Sequence, residues 1–227
     1  MKRLNLILET KDSETRAIEY EAKKLLLGGF TGKDKQAIIR HVEELKAKGI
    51  KIELPEKIPV FFKGSPYLLT TGNIIEVPGK ETSGEVEYVI MTAEGGKIYI
   101  TIGSDHTDRE LEKVSIQKSK WVCPKVLSPK VWDYDDIKDH WNRIEMHSYI
   151  FENGKRELYQ SGKLGDILDP VEILREAGHT KEEGWVVYSG TLPALRGVVY
   201  TDNFEVCLFD PVLNRKIVHK YIVKIVQ

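Results

Sequence analysis

Gly84-Glu85-Val86-Glu87-Tyr88-Val89-Ile90, followed by Gly103-Ser104-Asp105-His106-Thr107-Asp108-Arg109, decides how this 227-residue chain is read. Residues 85–90 have the composition of a strand. Side chains on a strand alternate between its faces, so Glu85 and Glu87 project to one side. Two unpaired anions side by side are costly to bury. A divalent cation shared with Asp105 resolves the conflict, and oxygen-only ligation suits Mg²⁺, Mn²⁺ or Ca²⁺ better than Zn²⁺. A solvated strand face shows the same Glu-x-Glu alternation, so the weight falls on the residues around it.

Outward from this stretch the chain has two textures. Leu4–Leu8 alternates as a first strand. Ser13–Leu27 has helical spacing and ends at a Gly28-Gly29 break. Lys33–Lys48 carries Ile38, Ile39, Val42 and Leu45 on one stripe, with Gly49 where a C-terminal cap belongs. After Pro59, short β-rich runs alternate with Gly, Pro and Asn clusters. They are 60–62, 74–77, 85–91, 97–102, 144–151, 184–189, 204–209 and 217–226. Asn153-Gly154 signals a hairpin, and Asp169-Pro170 opens a short helix over 171–176. The expected organisation is a helical N-terminal lobe or lid, residues 1–58, on a β-rich body, residues 59–227. The fold class is α+β, mainly β.

Composition narrows the function classes. The formal net charge is −1, with 41% hydrophobic and 30% charged residues. No basic field is present to attract nucleic acid or an anionic membrane. The apolar runs are strand-length, too short to span a bilayer, and the N-terminus has no signal-peptide core. Cys123 and Cys207 form no Cys-x-x-Cys pair, which points to a reducing cytoplasm.

Several ordered motifs resemble the fumarylacetoacetate hydrolase superfamily from about Arg40 to the C-terminus. Pro59-Val60-Phe61-Phe62-Lys63 is similar to its Pro-Val-x-Phe-x-Lys strand, with the lysine one residue early. Gly84-Glu85-Val86-Glu87 is similar to its metal-binding Glu-x-Glu. Ser104–Glu110 is similar to the segment whose first Asp is the third ligand. Lys118–Pro124 and Gly184–Pro193 are similar to its Lys-Ser and Gly-Thr-Pro segments. The match is to a divergent branch. The resemblance implies a mixed β-sandwich roll, one divalent cation (Mg²⁺ first, Mn²⁺ or Ca²⁺ as alternatives) on Glu85, Glu87 and Asp105, and a homodimer. It also implies a small 2-oxo acid substrate of acylpyruvate type, hydrolysed at a C–C bond or decarboxylated through an enolate.

The same resemblance assigns His41 and Glu44, three apart on one helix face, as a base unit. By position, Lys118 is preferred over Lys120 to neutralise an enolate oxygen. Arg109, Glu112, Lys120 and Thr191 are placed at the substrate. Glu112 stands where the family has Gln and would repel an anionic substrate unless protonated or turned away. His106 and Asp108 replace apolar or small residues; His106 reads as a structural histidine or an added polar contact, and Asp108 stays unassigned. Two rival readings remain: a hydratase or isomerase of the same superfamily, and a non-catalytic β-rich binding or assembly module. A metal-dependent thermal shift separates the second from an enzyme. A Cys123 nucleophile is disfavoured because Pro124 removes a backbone N–H.

Overall fold

A computed structural model describes residues 1–36, 38–40, 43, 55–178 and 182–226. The strand β8 (Val86–Thr92) is buried at every position. Its successive side chains enter two cores: Val86, Tyr88 and Ile90 join one hydrophobic cluster, Val89 and Met91 the other. A strand covered on both faces reads as a continuous apolar run. Its neighbour β9 (Ile98–Asp105) runs antiparallel, in register from Val86 opposite Ser104 to Thr92 opposite Ile98.

Around this pair the larger sheet runs β2 (Thr15–Ala22), β1 (Lys2–Glu9), β12 (Lys130–Asp133), β9, β8, β15 (Trp185–Tyr188), β3 (Lys24–Gly29), β4 (Val60–Gly64). Off this path, β11 (Lys125–Leu127) pairs with both β9 and β5 (Leu69–Thr70). A second sheet runs β14 (Lys155–Lys163), β13 (Glu145–Glu152), β16 (Asn203–Asp210), β17 (Arg215–Ile225), β6 (Ile74–Val77). Its inward side chains, including Met146, Ile150, Val206, Leu208 and Tyr221, share one cluster with Tyr88, Ile90, Ile100 and Ile102. A ribbon of β7 (Thr82–Ser83) and β10 (Thr107–Asp108) lies next to the end of β9. Three short helices complete the part that matters here: α1 (Arg109–Glu112), α2 (Ile116–Trp121) and α3 (Pro170–Glu176).

The local chemistry explains several elements. Asn153 and Gly154 both adopt positive φ, 51° and 75°, as a tight hairpin between β13 and β14 requires. Asp169 caps α3: its carboxylate accepts from Glu172 N while the Glu172 carboxylate accepts from Asp169 N. Trp132, Trp141 and Trp185 are core residues, and Trp121 is 43% exposed.

The fold corrects the reading of the N-terminus. Ser13–Leu27 is not a helix: it supplies β2 and most of β3. Ile18, Tyr20 and Ala22 alternate inward at period two, and β2 pairs with β1 over eight residues. Gly28 and Gly29 do not break the chain; they continue β3 against β4. Residues 1–29 thus belong to the larger sheet rather than to a helical lobe. Helical conformation does occur at residues 35–36, 38–40 and 43. The rest of the expected helix, with His41 and Glu44, lies outside the described residues. Among the described residues, no helix is long and apolar enough to cross a membrane.

Candidate metal centre

The open end of the β8–β9 pair presents three carboxylates on one side. Glu87 lies in β8, Glu85 immediately precedes it, and Asp105 closes β9. Asp105 N donates to Glu85 O at 3.0 Å, which locks the two ligand positions across the ladder. One oxygen from each carboxylate lies within 4.8 Å of the other two, and no other such trio of metal-ligating groups occurs among the described residues. Gly103 stands opposite Glu87. A Cβ there would come within 2.4 Å of Val126 O and 3.0 Å of the Tyr188 ring, so only glycine lets these elements approach.

Three cations meet these acids. Lys120 Nζ, from α2, lies 2.5 Å from Asp105 Oδ2 and 3.2 Å from Glu85 Oε2. Lys125 Nζ, from β11, lies 2.7 Å from Asp105 Oδ1 and donates to His106 O at 2.6 Å. Arg109 Nη1 donates to Glu85 Oε1 at 3.0 Å and to Glu112 Oε2 at 2.8 Å, while its Nε donates to Ser83 Oγ at 2.7 Å. Compensation is uneven. Burial pushes Glu85 up, but Lys120 and Arg109 outweigh it and hold the group at about 2. Burial and then the Asp105 charge push Glu87 well above the carboxylate range, against Lys120 and a 2.8 Å hydrogen bond from Gly190 N. Lys120 stays charged despite burial because Asp105 and Glu85 face it. Burial pushes Lys125 down.

This donor set fits a hard divalent cation. All three ligand groups are carboxylates. Among the described residues Glu87 forms no ion pair of its own, although the Lys120 charge reaches it, and Asp105 Oδ1 accepts no aligned hydrogen bond although Lys125 lies beside it. A divalent ion would satisfy both and let Glu87 ionise.

The structure sorts the other expected residues. Lys120 faces the carboxylates; Lys118 is exposed on α2. Two residues apart on a helix point to nearly opposite sides, so only one of the pair reaches inward. Arg109 and Glu112 are brought to the site but pair with each other. Thr191 is close, with its hydroxyl donating to Val86 O at 2.9 Å and accepting from Gln160 Nε2 at 2.8 Å. His106 is structural: Nδ1 lies 3.0 Å from Tyr221 OH and Nε2 lies 3.0 Å from Thr82 Oγ1. Burial lowers its pKa to about 3, so the ring is neutral. Asp108 caps α1 by accepting from Leu111 N at 2.9 Å. Lys125 was not foreseen, although a lysine inside the apolar run Cys123–Leu127 is the sort of interruption that marks a buried charge.

Comparison with known proteins follows the same lines. Residues 28–221 match the family described as "Protein of unknown function (DUF2848)". The chain belongs to this family. No curated protein matches it. Among solved structures, 2-keto-3-deoxy-D-arabinonate dehydratase complexed with magnesium and 2,5-dioxopentanoate is similar at TM-score 0.64 and 15% identity, covering 91% of this chain and 74% of the other. A protein from Yersinia pestis CO92 ascribed to the fumarylacetoacetate hydrolase family gives TM-score 0.63 and 17% identity, covering 96% and 100%. A yeast fumarylacetoacetate hydrolase family protein gives 0.57 and 16%, covering 89% and 93%. This DUF2848 chain therefore has the fumarylacetoacetate hydrolase fold, on a divergent sequence.

Proposed function

We propose that the chain is a divalent-metal-dependent enzyme acting on a small 2-oxo acid, with hydrolysis of a C–C bond or decarboxylation as the reaction. The observation that carries this reading is the close trio Glu85, Glu87 and Asp105, each offering a carboxylate oxygen within 4.8 Å of the other two. Those three would hold the ion, Mg²⁺ first and Mn²⁺ or Ca²⁺ as alternatives. Bound there, the ion would supply Lewis-acid stabilisation of negative charge developing on a substrate oxygen.

Charge balance supports the substrate class. The site gathers four acids, Glu85, Glu87, Asp105 and Glu112, and three cations, Arg109, Lys120 and Lys125. With all of these groups charged, a divalent cation turns an excess of one negative charge into an excess of one positive. A monoanionic 2-oxo carboxylate neutralises it. Lys120, beside the ligands, is placed to face an anionic oxygen of the substrate. Arg109 can offer its fork to the substrate carboxylate if Glu112 turns aside. His41 and Glu44 remain the proposed base unit for water activation.

Dehydration or isomerisation of a 2-oxo acid is the second reading, favoured by the dehydratase among the structural neighbours. A homodimer is proposed on the resemblance, with exposed Trp121 as the tryptophan available to an interface. The test is a panel of acylpyruvates, oxaloacetate and hydroxylated 2-oxo acids with Mg²⁺ or Mn²⁺, followed by ultraviolet absorbance and product analysis. Cleavage or CO₂ release supports the first reading, and a dehydrated or isomerised product with the carbon skeleton intact supports the second. No turnover and no metal-dependent thermal shift overturn both.

A further inference from the structure

The backbone that carries Glu85 and Glu87 is gripped from behind by the second sheet. β15 pairs with β8 only from Val89 to Met91, and Tyr88 O takes Ser189 N at 3.0 Å. At Val86 the flanking strand has diverged, which would orphan a buried N–H and C=O. Side chains replace it: Gln160 Oε1 accepts from Val86 N at 3.0 Å, and Thr191 Oγ1 donates to Val86 O at 2.9 Å. Gln160, on β14, uses all of its hydrogen-bonding capacity. Its Oε1 also accepts from Ser148 Oγ at 2.9 Å, and its Nε2 donates to Thr191 Oγ1 at 2.8 Å and Leu192 O at 2.5 Å.

A second grip holds the residue before. Glu85 N donates to Ser104 Oγ at 3.1 Å, and that oxygen also accepts from Tyr221 OH, on β17, at 2.9 Å. Because the Tyr221 hydroxyl donates to Ser104, its oxygen accepts from His106 Nδ1, and His106 Nε2 accepts from the Thr82 hydroxyl. Gln160 is 2% exposed, and Ser104 and Tyr221 are fully buried. None of these atoms touches a ligand oxygen. They fix the peptide units on either side of Val86, and so the separation of the two glutamate side chains.

Resting on the metal reading above, we propose that Gln160 and Tyr221 are positioning residues for the cation site: they act through the Glu85–Glu87 backbone to set the ligand geometry. Outer-shell partners of metal ligands typically alter affinity by roughly 10–100-fold.

The experiment is Mn²⁺ titration by calorimetry and Mn²⁺ electron paramagnetic resonance on the folded wild-type chain, Gln160→Met, Tyr221→Phe and the control Ile150→Val, with Tm measured for each. Ile150 lies in the same second-sheet core but bonds to none of this network. The expected result is weaker Mn²⁺ binding by roughly 10–100-fold in Gln160→Met and Tyr221→Phe, with an altered resonance line shape. Ile150→Val lowers Tm and leaves both readouts at wild-type values. If wild type binds Mn²⁺ and the two variants bind it equally well, the positioning role is overturned while the metal reading stands. Affinity that falls in step with Tm across all three variants also overturns it, because that is generic loosening. A wild type that binds no divalent cation overturns the metal reading and this proposal with it. Tyr221→Phe, which removes one oxygen, keeps the test decisive should Gln160→Met fail to fold.

Discussion

Lys120 reaches from α2 to Asp105 on β9, with Nζ 2.5 Å from Oδ2 and both side chains buried. The same ammonium lies 3.2 Å from Glu85. It therefore bridges the acid that closes β9 and the acid that precedes β8, beside the Lys125 and Arg109 charges that each meet one of them. Its neighbour two residues earlier, Lys118, is exposed and takes no part.

Lys120→Met should destabilise the metal-free protein by about 3–5 kcal/mol, the usual result of removing one partner from a buried ion pair. Lys118→Ala should change stability by no more than about 0.5 kcal/mol. Chemical denaturation in the presence of a chelator checks both. Equal effects of the two substitutions would contradict the assignment of Lys120 as the inward lysine.

Glu87→Gln should abolish the metal-dependent rise in Tm and yet make the metal-free protein more stable near neutral pH. The folded-state pKa of Glu87 is raised, so above the unfolded value of 4.5 the folded state binds more protons than the unfolded state. The Glu87 contribution to stability then falls as pH rises through that window, and the neutral amide removes that contribution from the slope. Thermal unfolding from about pH 5 to about pH 7, with chelator and with Mg²⁺, is the measurement. An unchanged slope in the variant would refute the argument.

His106→Gln should flatten a different pH dependence. The histidine titrates at about 3 when folded and at 6.5 in its unperturbed state. Between those values the unfolded state binds the extra proton, so stability is present above 6.5 and is lost as pH falls towards 3. The amide can still donate to Tyr221 and accept from Thr82. Comparing denaturation of the two proteins across this window isolates the histidine contribution. Parallel curves would mean that His106 does not stay neutral in the fold.

His41→Ala should lower kcat by about 10²–10⁴, the usual worth of general-base catalysis, and leave Mn²⁺ affinity near wild type. Steady-state kinetics on whichever 2-oxo acid proves active, with calorimetry beside it, gives the answer. Near wild-type kcat would remove His41 from the mechanism, and lost metal binding would give it a different role.

The carboxylate trio was legible because most of its signal is local. Period two puts Glu85 and Glu87 on one side of a strand, Asp105 joined them through its family-like motif, and the register of β8 with β9 brings the three together. The β-rich body was legible for the same reason, down to the Asn153-Gly154 hairpin. The N-terminus misled because Ile18, Tyr20 and Ala22 alternate within a charged stretch that also satisfies helical spacing, and pairing with β1 decided the matter. Choosing between Lys118 and Lys120 needed the rotation of α2 about its axis, which sequence spacing cannot fix for a six-residue helix. Gln160 and Tyr221 carried no signal, since a lone buried Gln or Tyr on a strand is unremarkable until its partner is known.

The larger sheet joins parts of the chain that are made far apart in time. β3 pairs in parallel with β15, registered Lys24 opposite Trp185, and β1 pairs in parallel with β12. Such pairings bring a large loop-closure cost before any contact rewards it, which slows folding. On the ribosome the carboxylates at 85, 87 and 105 emerge well before Gln160, Gly190 and Tyr221, the groups that hold their backbone and side chains in place. A nascent chain can thus pair β8 with β9 early, yet it displays clustered acids whose backbone lacks its second-sheet contacts until β17 is delivered. On the proposed metal reading, delivery of β17 is consequently the step at which Tyr221 comes to hold the contact between Ser104 and Glu85, and a chain truncated before Arg215 should keep all three carboxylates and bind Mn²⁺ more weakly.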